Sequence, residues 1–568
     1  MDFLLSIIGF AVDLAAVWRF PYYAFKNGGG TFLIPYFIML IIGAVPLLYL
    51  ELLIGQYHRQ GPISVWTQIA PIFQGIGFCA AVVSFYTSFY YNNILAWSFF
   101  YLFASLTPEL PWSSCQNQSW AGPNDWASPT CDSNDTIAHY GNASAKGLPR
   151  SAAQDYFDFF VLGLNKDSGF DNIGWPRPQL VGCLALTYVV LFFALFKGVR
   201  SSGKVVWVTA IAPYCILLIL FIRGIFLPGA VDGVQYYMTF DLKRLLEAQI
   251  WIDAAVQVFY STGAGFGVHL ALASYNKFHH NCRRDCLITV AANAAASIFS
   301  GFVVFAYLGY MSARQNVGID HVAKNGPGLV FQVYPEAIST LPGAPFWSVL
   351  FFLMLLTLGL DSSMGGMESI LTGICDYFKD FFQRTRHSRL VLTATICLLS
   401  FCVGLVNCTP SGIYTFQWFD TFAAGVSLLF VAFFEAIAVA WFYGIEQFSV
   451  DITEMLGAPP GLFWRLCWKF FSPLFLLTAI VAAAITFPTL KYDSYMYPQW
   501  ATTAGWVFSL STTILIPIVA IIQMAKSKGT LSQKVGLSIS PARDQERIRR
   551  GGAIARFHGR HWRYIGPI

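Results

Sequence analysis

Charge is what this chain has least of. Only 11% of its 568 residues are Asp, Glu, Lys or Arg, while 56% are Ala, Val, Ile, Leu, Met, Phe, Trp, Tyr or Cys. A water-soluble domain carries about a quarter charged residues, so a soluble fold is excluded. Also lacking is the polar/apolar alternation of a membrane barrel; the chain stays apolar for roughly 20 residues at a time, the length of a spanning helix. With aromatics at 17% and a mean hydropathy of +0.55, helices must satisfy the backbone inside lipid. No basic segment or small-residue cleavage site marks the first apolar run as a removable leader, so it reads as a span. Enzyme constellations are missing too: there is no Walker loop, no HExxH zinc motif and no nucleophile elbow. His139 and His321 are scattered loop histidines that read as solvated rather than as a zinc site.

What is present is a series of apolar runs at about 3–27, 31–55, 74–105, 179–198, 204–226, 250–274, 285–310, 345–375, 389–407, 416–445, 463–488 and 499–525. The expected architecture is an all-α polytopic membrane protein of about twelve transmembrane helices, occupying residues 1–525. Basic residues set its orientation. Lys197, Arg200 and Lys204, then Lys277, Arg283 and Arg284, then Lys379, Arg384, Arg386 and Arg389 fall in alternate loops, which should be cytoplasmic together with both termini. The net charge is +5, but residues 526–568 alone carry +8, leaving −3 elsewhere. That basic tail reads as a cytoplasmic segment beside anionic membrane lipid, with no nucleic-acid role.

The polar stretch from about 107 to 178 then lies outside the cell. It holds three glycosylation sequons, at Asn117, Asn134 and Asn142, and the pair Cys115 and Cys131, for which an oxidising exterior permits a disulfide. The other ten of the 12 cysteines sit in or near spans and read as buried thiols. A fourth sequon, Asn407-Cys-Thr, is followed by Pro410 at a membrane edge and is discounted.

Two interruptions locate the function. The first span contains Asp13, a carboxylate that costs about 2.5–3.5 kcal/mol at mid-membrane unless it meets a partner or a water-filled cavity. The sixth contains Ser261-Thr262-Gly263-Ala264-Gly265-Phe266-Gly267, three glycines that permit an unwound stretch. Broken spans five apart suggest two inverted five-helix repeats, about 3–226 and 250–445, with a transport site between them.

Several ordered strings accompany these breaks: Val17-Trp18-Arg19-Phe20-Pro21-Tyr22, Asn27-Gly28-Gly29-Gly30, Glu51-Leu52 with Gly55-Gln56, Ser274-Tyr275-Asn276-Lys277-Phe278 and Leu358-Gly359-Leu360-Asp361-Ser362. Over roughly residues 3–560 the chain resembles the sodium-coupled neurotransmitter symporter family. Asp13 resembles that family's monoamine branch, where amino-acid carriers have glycine, and Ser363-Met364-Gly365-Gly366-Met367-Glu368-Ser369 with Arg560-His561-Trp562 look like the dopamine and noradrenaline carriers.

The resemblance implies a set of roles. Asp13, Ala15, Tyr91, Tyr260 and Phe266 would surround a protonated amine, with the Tyr91 hydroxyl donating to Asp13. Ser84, Ser88 and Ser363 would meet ring hydroxyls, and Thr87 and Gly366 would shape the wall. One sodium site would use Gly9, Val12, Leu358, Asp361 and Ser362; the other Ala11, Ser261 and Asn293. Chloride would sit among Tyr36, Gln257, Ser261, Asn293 and Ser297. Arg19 and Asp420 match the outer gate, above a lid of Tyr91 and Tyr260, and Tyr275 and Asp376 match inner gate positions. Glu51 and Glu435 read as hydrogen-bonded structural acids.

Three positions depart from the family pattern. Ala16 stands where a side-chain amide would complete the second sodium site, Tyr260 where phenylalanine is usual, and the arginine of the inner gate would lie ahead of Met1. The implied function is plasma-membrane uptake of a catecholamine-like monoamine, dopamine first, coupled to Na+ and Cl−. Serotonin or octopamine carriage and a non-transporting amine-binding variant are the alternatives, and a homo-oligomer is left open.

Overall fold

Nine helices in the described part of the computed structural model are long and apolar enough to cross a membrane. They are Gly29–His58, Pro71–Ala104, Pro178–Leu195, Cys282–Ala313, Ala344–Tyr377, Ser388–Cys408, Gly412–Leu456, Leu462–Ile485 and Gln499–Lys526. The described residues are 2–113, 151–164, 168–196, 199–315, 318–319, 329–384, 387–486, 490–492, 495–552, 554 and 556. Cys115, Cys131, Asn117, Asn134, Asn142, His139 and His321 lie outside them.

The other three apolar runs are also helical. Span 5 is the helix Val199–Ile225, after which the chain turns by 117° into Ala230–Leu246. Spans 1 and 6 are each divided: Asp2–Ala11 is separated from Ala15–Arg19 and Phe20–Lys26, and Ala248–Thr262 from Val268–Ala273. The twelve-span, all-α expectation therefore holds, numbered below in chain order. The only described strands are the two-residue pair Lys491–Tyr492 and Tyr495–Met496, a small hairpin between spans 11 and 12.

Position within the bundle follows side-chain chemistry. Span 2 is 78% buried over its most apolar stretch and span 10 is 72% buried, whereas span 12 is 22% buried and shows Val507, Leu510, Ile514 and Ile521 on its surface. Such residues suit lipid as well as protein. Spans 3 and 8 pack along much of each other's length and form a wall against which the broken spans lie.

Two readings change at the edges. The stretch before span 4 is not polar throughout: Phe157 is buried and stacks on Phe331 with centroids 5.5 Å apart. The basic tail is partly docked on protein. Its helices Leu531–Ile539 and Ala542–Arg549 pack on the bundle, and Arg543 reaches Asp451 at 3.4 Å. Arg556 is buried and donates to the carbonyls of Phe442 and Tyr443, both at 3.2 Å. Those carbonyls belong to a π-helical turn of span 10, Ala438–Gly444, which ends at Gly444 with φ +99°. A loosened turn leaves acceptors that a guanidinium can fill. Asn407 is buried, donates to Phe89 O at 3.0 Å and accepts from Thr415 at 2.8 Å, leaving no room for a sugar.

Candidate functional site

Inside lipid every freed backbone group needs a partner, and the two breaks are built around that need. At Asp13 the helix stops. The amide of Ala16 donates to the Asp13 carbonyl at 3.1 Å and to its Oδ1 at 3.3 Å, so the carboxylate caps the second arm of span 1. In span 6, Gly263, Gly265 and Gly267 take φ of +70°, +90° and +70°, left-handed conformations that other residues adopt at a cost. Side chains from neighbouring spans complete this loop. Glu51 accepts from the Gly265 amide at 2.5 Å. Ser84 and Ser369 both donate to the Phe266 carbonyl, at 3.1 and 3.2 Å. The Thr262 carbonyl, which can only accept, receives the Nε2 hydrogen of buried His269 at 2.7 Å.

Between the breaks lies a cavity with about 470 Å³ of space between atoms, its mouth included. Asp13, Tyr91, Tyr260, Phe266, Ser84, Thr87, Ser88, Ser363 and Gly366 line it, together with Ser362. Nine of the ten expected substrate-site positions are thus brought together. The exception is Ala15, which is buried off the cavity and whose carbonyl accepts from Gln257 Nε2 at 3.4 Å. Phe10 and Met367 line the cavity and were not expected. Phe10 is seated by glycines: a Cβ on Gly263 or Gly365 would lie 2.2 or 2.5 Å from its ring, and His269 meets it edge-on at 5.3 Å. The expected Tyr91 to Asp13 hydrogen bond is not formed, and the buried Tyr91 hydroxyl has no protein partner among the described residues. Tyr260, whose extra hydroxyl had no expected partner, bonds Tyr90 at 3.1 Å.

The ion positions divide by chemistry. Ser362 sits where spans 1 and 8 meet, donating to the carbonyls of Leu358 at 3.3 Å and Phe10 at 3.4 Å. Its oxygen, the Asp361 carboxylate and the carbonyls of Gly9, Val12 and Leu358 are hard oxygen donors suited to a small cation. The second cluster is different. Ser261 and Ser297 donate to Asn293 Oδ1 at 3.0 and 3.4 Å, while the Tyr36 hydroxyl and Asn293 Nδ2 are buried donors with no acceptor among the described residues. Unpaired donors of this kind fit an anion. Ala16 adds no side-chain oxygen to the neighbouring cation position beside Ala11, and its own carbonyl accepts from Ser300.

Arg19 and Asp420 face each other at 3.6 Å, with side chains 3% and 8% exposed. Arg19 lies over the Tyr260 ring at 4.1 Å and near that of Tyr23 at 5.5 Å. At the opposite end, Tyr275 and Asp376 do not pair with each other: Tyr275 bonds Thr372 at 3.2 Å, and Asp376 accepts from the Gly61 amide at 2.7 Å. The ion pair found there is Arg389 with Glu368, at 2.8 Å.

Known proteins share this plan. Residues 1–527 match the model of the sodium:neurotransmitter symporter family. The chain is 48% identical over 553 residues to the sodium-dependent dopamine transporter of Bos taurus, spanning 97% of this chain and 78% of that protein. It is 44% identical over 541 residues to the sodium-dependent serotonin transporter of Drosophila melanogaster, spanning 95% and 84%. With two broken spans around a central cavity and a family match over nearly its whole length, the chain belongs to the sodium:neurotransmitter symporter family, as a multi-pass membrane transporter and not an enzyme.

Proposed function

We propose that the chain takes up a protonated catecholamine-like amine across the plasma membrane, dopamine before noradrenaline, coupled to sodium and chloride. The observation that carries this is Asp13. Its carboxylate is buried on the cavity wall, backed by one amide, and no Lys, Arg or His pairs with it among the described residues. A ligand ammonium supplies the missing charge and the aromatic faces around it attract the same cation. An amino-acid substrate would instead set a second carboxylate beside Asp13.

The hydroxyl side chains of the cavity wall support a ligand with ring hydroxyls. Ser84, Thr87 and Ser363 commit their hydrogens to Phe266 O at 3.1 Å, Val83 O at 2.9 Å and Asn92 Oδ1 at 2.7 Å, leaving oxygen lone pairs to accept from a catechol. Sodium is assigned to the oxygens of Gly9, Val12, Leu358, Asp361 and Ser362, and chloride to Tyr36, Gln257, Ser261, Asn293 and Ser297. At the other sodium position, formed by Ala11, Ser261 and Asn293, Ala16 weakens binding. Arg19 and Asp420 close one side of the cavity in the transport cycle; Tyr275 and Asp376 belong to the other.

Labelled dopamine uptake by cells expressing the chain tests the reading. Replacing sodium with choline is expected to abolish accumulation, replacing chloride with gluconate to reduce it several-fold, and Ala16→Asn to raise apparent sodium affinity. Binding without accumulation would contradict transport. The identity to a serotonin carrier favours serotonin as the second candidate, and preferential inhibition of uptake by serotonin over dopamine would select it.

A further inference from the structure

Tyr260 belongs to two structures at once. Its ring lines the cavity, and the Arg19 guanidinium lies over it at 4.1 Å. Three groups hold Arg19: Asp420 faces it at 3.6 Å, the Tyr23 hydroxyl accepts from its Nη2 at 3.4 Å, and the Tyr260 ring lies against the guanidinium, whose Nε and Nη1 have no hydrogen-bond acceptor among the described residues. Tyr260 is the one of these three groups that also lines the cavity, so its orientation couples the cation to the cavity wall. That orientation is set from outside span 6. Tyr90 lies on span 3, in the packed wall formed with span 8, and its ring is held edge-on by Phe416 at 5.4 Å. Both hydroxyls of the 3.1 Å Tyr90–Tyr260 bond are buried, so neither exchanges its partner for water.

We propose that Tyr90 is a positioning residue of the Arg19 gate, and that its hydroxyl bond to Tyr260 selectively stabilises the state in which Arg19 covers the cavity. The bond ties the arm of span 6 that ends at Thr262 to a wall that does not share its break. Opening this side withdraws Tyr260 from Tyr90, so the bond exists in the closed state and is lost in the open one. A contact made in one state alone shifts the equilibrium by its full worth, about fivefold for one buried neutral hydrogen bond. This rests on the transport reading but on no particular amine.

The test compares Tyr90→Phe, Tyr260→Phe and the double variant, which keep both rings, with the full unaltered chain. In lipid nanodiscs with sodium and chloride and no amine, amide exchange of residues 248–262 is expected to quicken about fivefold in either single variant. It should quicken no further in the double variant, with spans 9 and 12 unchanged. Uptake by the Tyr90→Phe chain in cells should show apparent KM raised about fivefold at equal surface amount and undiminished maximal rate, whereas a general packing loss would lower both amount and rate. Effects that multiply in the double variant, or a Tyr90→Phe chain that exchanges like the unaltered one, would overturn the proposal. A failed dopamine assay beside the expected exchange pattern would contradict the substrate and leave the latch standing.

Discussion

The two proposed gates differ in chemistry. At the Arg19 end a nearly unexposed cation, 3% accessible, lies between two aromatic rings beside an equally hidden carboxylate, and Lys26 joins Asp253 at 2.8 Å to bind the neighbouring arms of spans 1 and 6 together. At the other end Tyr275 is 55% exposed, and the Arg389–Glu368 pair has its arginine 32% exposed. Charges stripped of water interact strongly and are costly to leave alone, whereas Arg389 keeps part of its solvation, which screens its pair with the 6% exposed Glu368. On the proposed gating, the Arg19 end is thus the more fully dehydrated closure and the Tyr275 end the more solvated one.

The largest expected break is Arg19→Gln. It removes the cation from the Tyr260 face and leaves Asp420 buried alone, so uptake should fall at least about tenfold while surface amount, measured by biotinylation, changes little. His269→Leu should act next, on both ends equally, because it strands the Thr262 carbonyl at the break. A loss of about 1–3 kcal/mol of stability is expected, read as a lower melting temperature of the purified protein, with His269→Gln retaining more of it by keeping a donor. Glu368→Gln at the Tyr275 end should change uptake only about two- to threefold. The smallest effect is assigned to Lys26→Gln, since Lys26 is 38% exposed and Asn27 and Gln249 still donate to Asp253 at 3.1 and 2.8 Å. If Glu368→Gln proved more damaging than Arg19→Gln, the contrast between the ends would be reversed.

Much of this plan is legible without coordinates because it rests on residues that are expensive in lipid. Asp13 and the glycines of span 6 stand out by cost alone, and the structure places them on facing breaks. Phe10, Met367 and Tyr90 did not stand out, since an aromatic or a methionine in an apolar run is ordinary core by composition. Only the orientation of the run separates cavity wall from packing. Ala15 is the reverse case, two residues from Asp13 but off the cavity, with its carbonyl accepting from Gln257. His269 had a usable signal, a lone imidazole just past a glycine-rich break, where an unwound backbone leaves a carbonyl to satisfy. The buried Arg556 had none, because an arginine in a basic tail reads as solvated until the loosened turn of span 10 is seen beneath it.

The central claim is that Asp13 awaits a cationic amine. Reconstituting the chain and its Asp13→Gly variant into proteoliposomes with an inward sodium gradient, and measuring labelled dopamine accumulation, tests it directly. The unaltered chain should concentrate dopamine only while the gradient lasts, and Asp13→Gly should lose at least about 100-fold of that accumulation with the protein still folded. Equal accumulation by the two proteins would contradict the account.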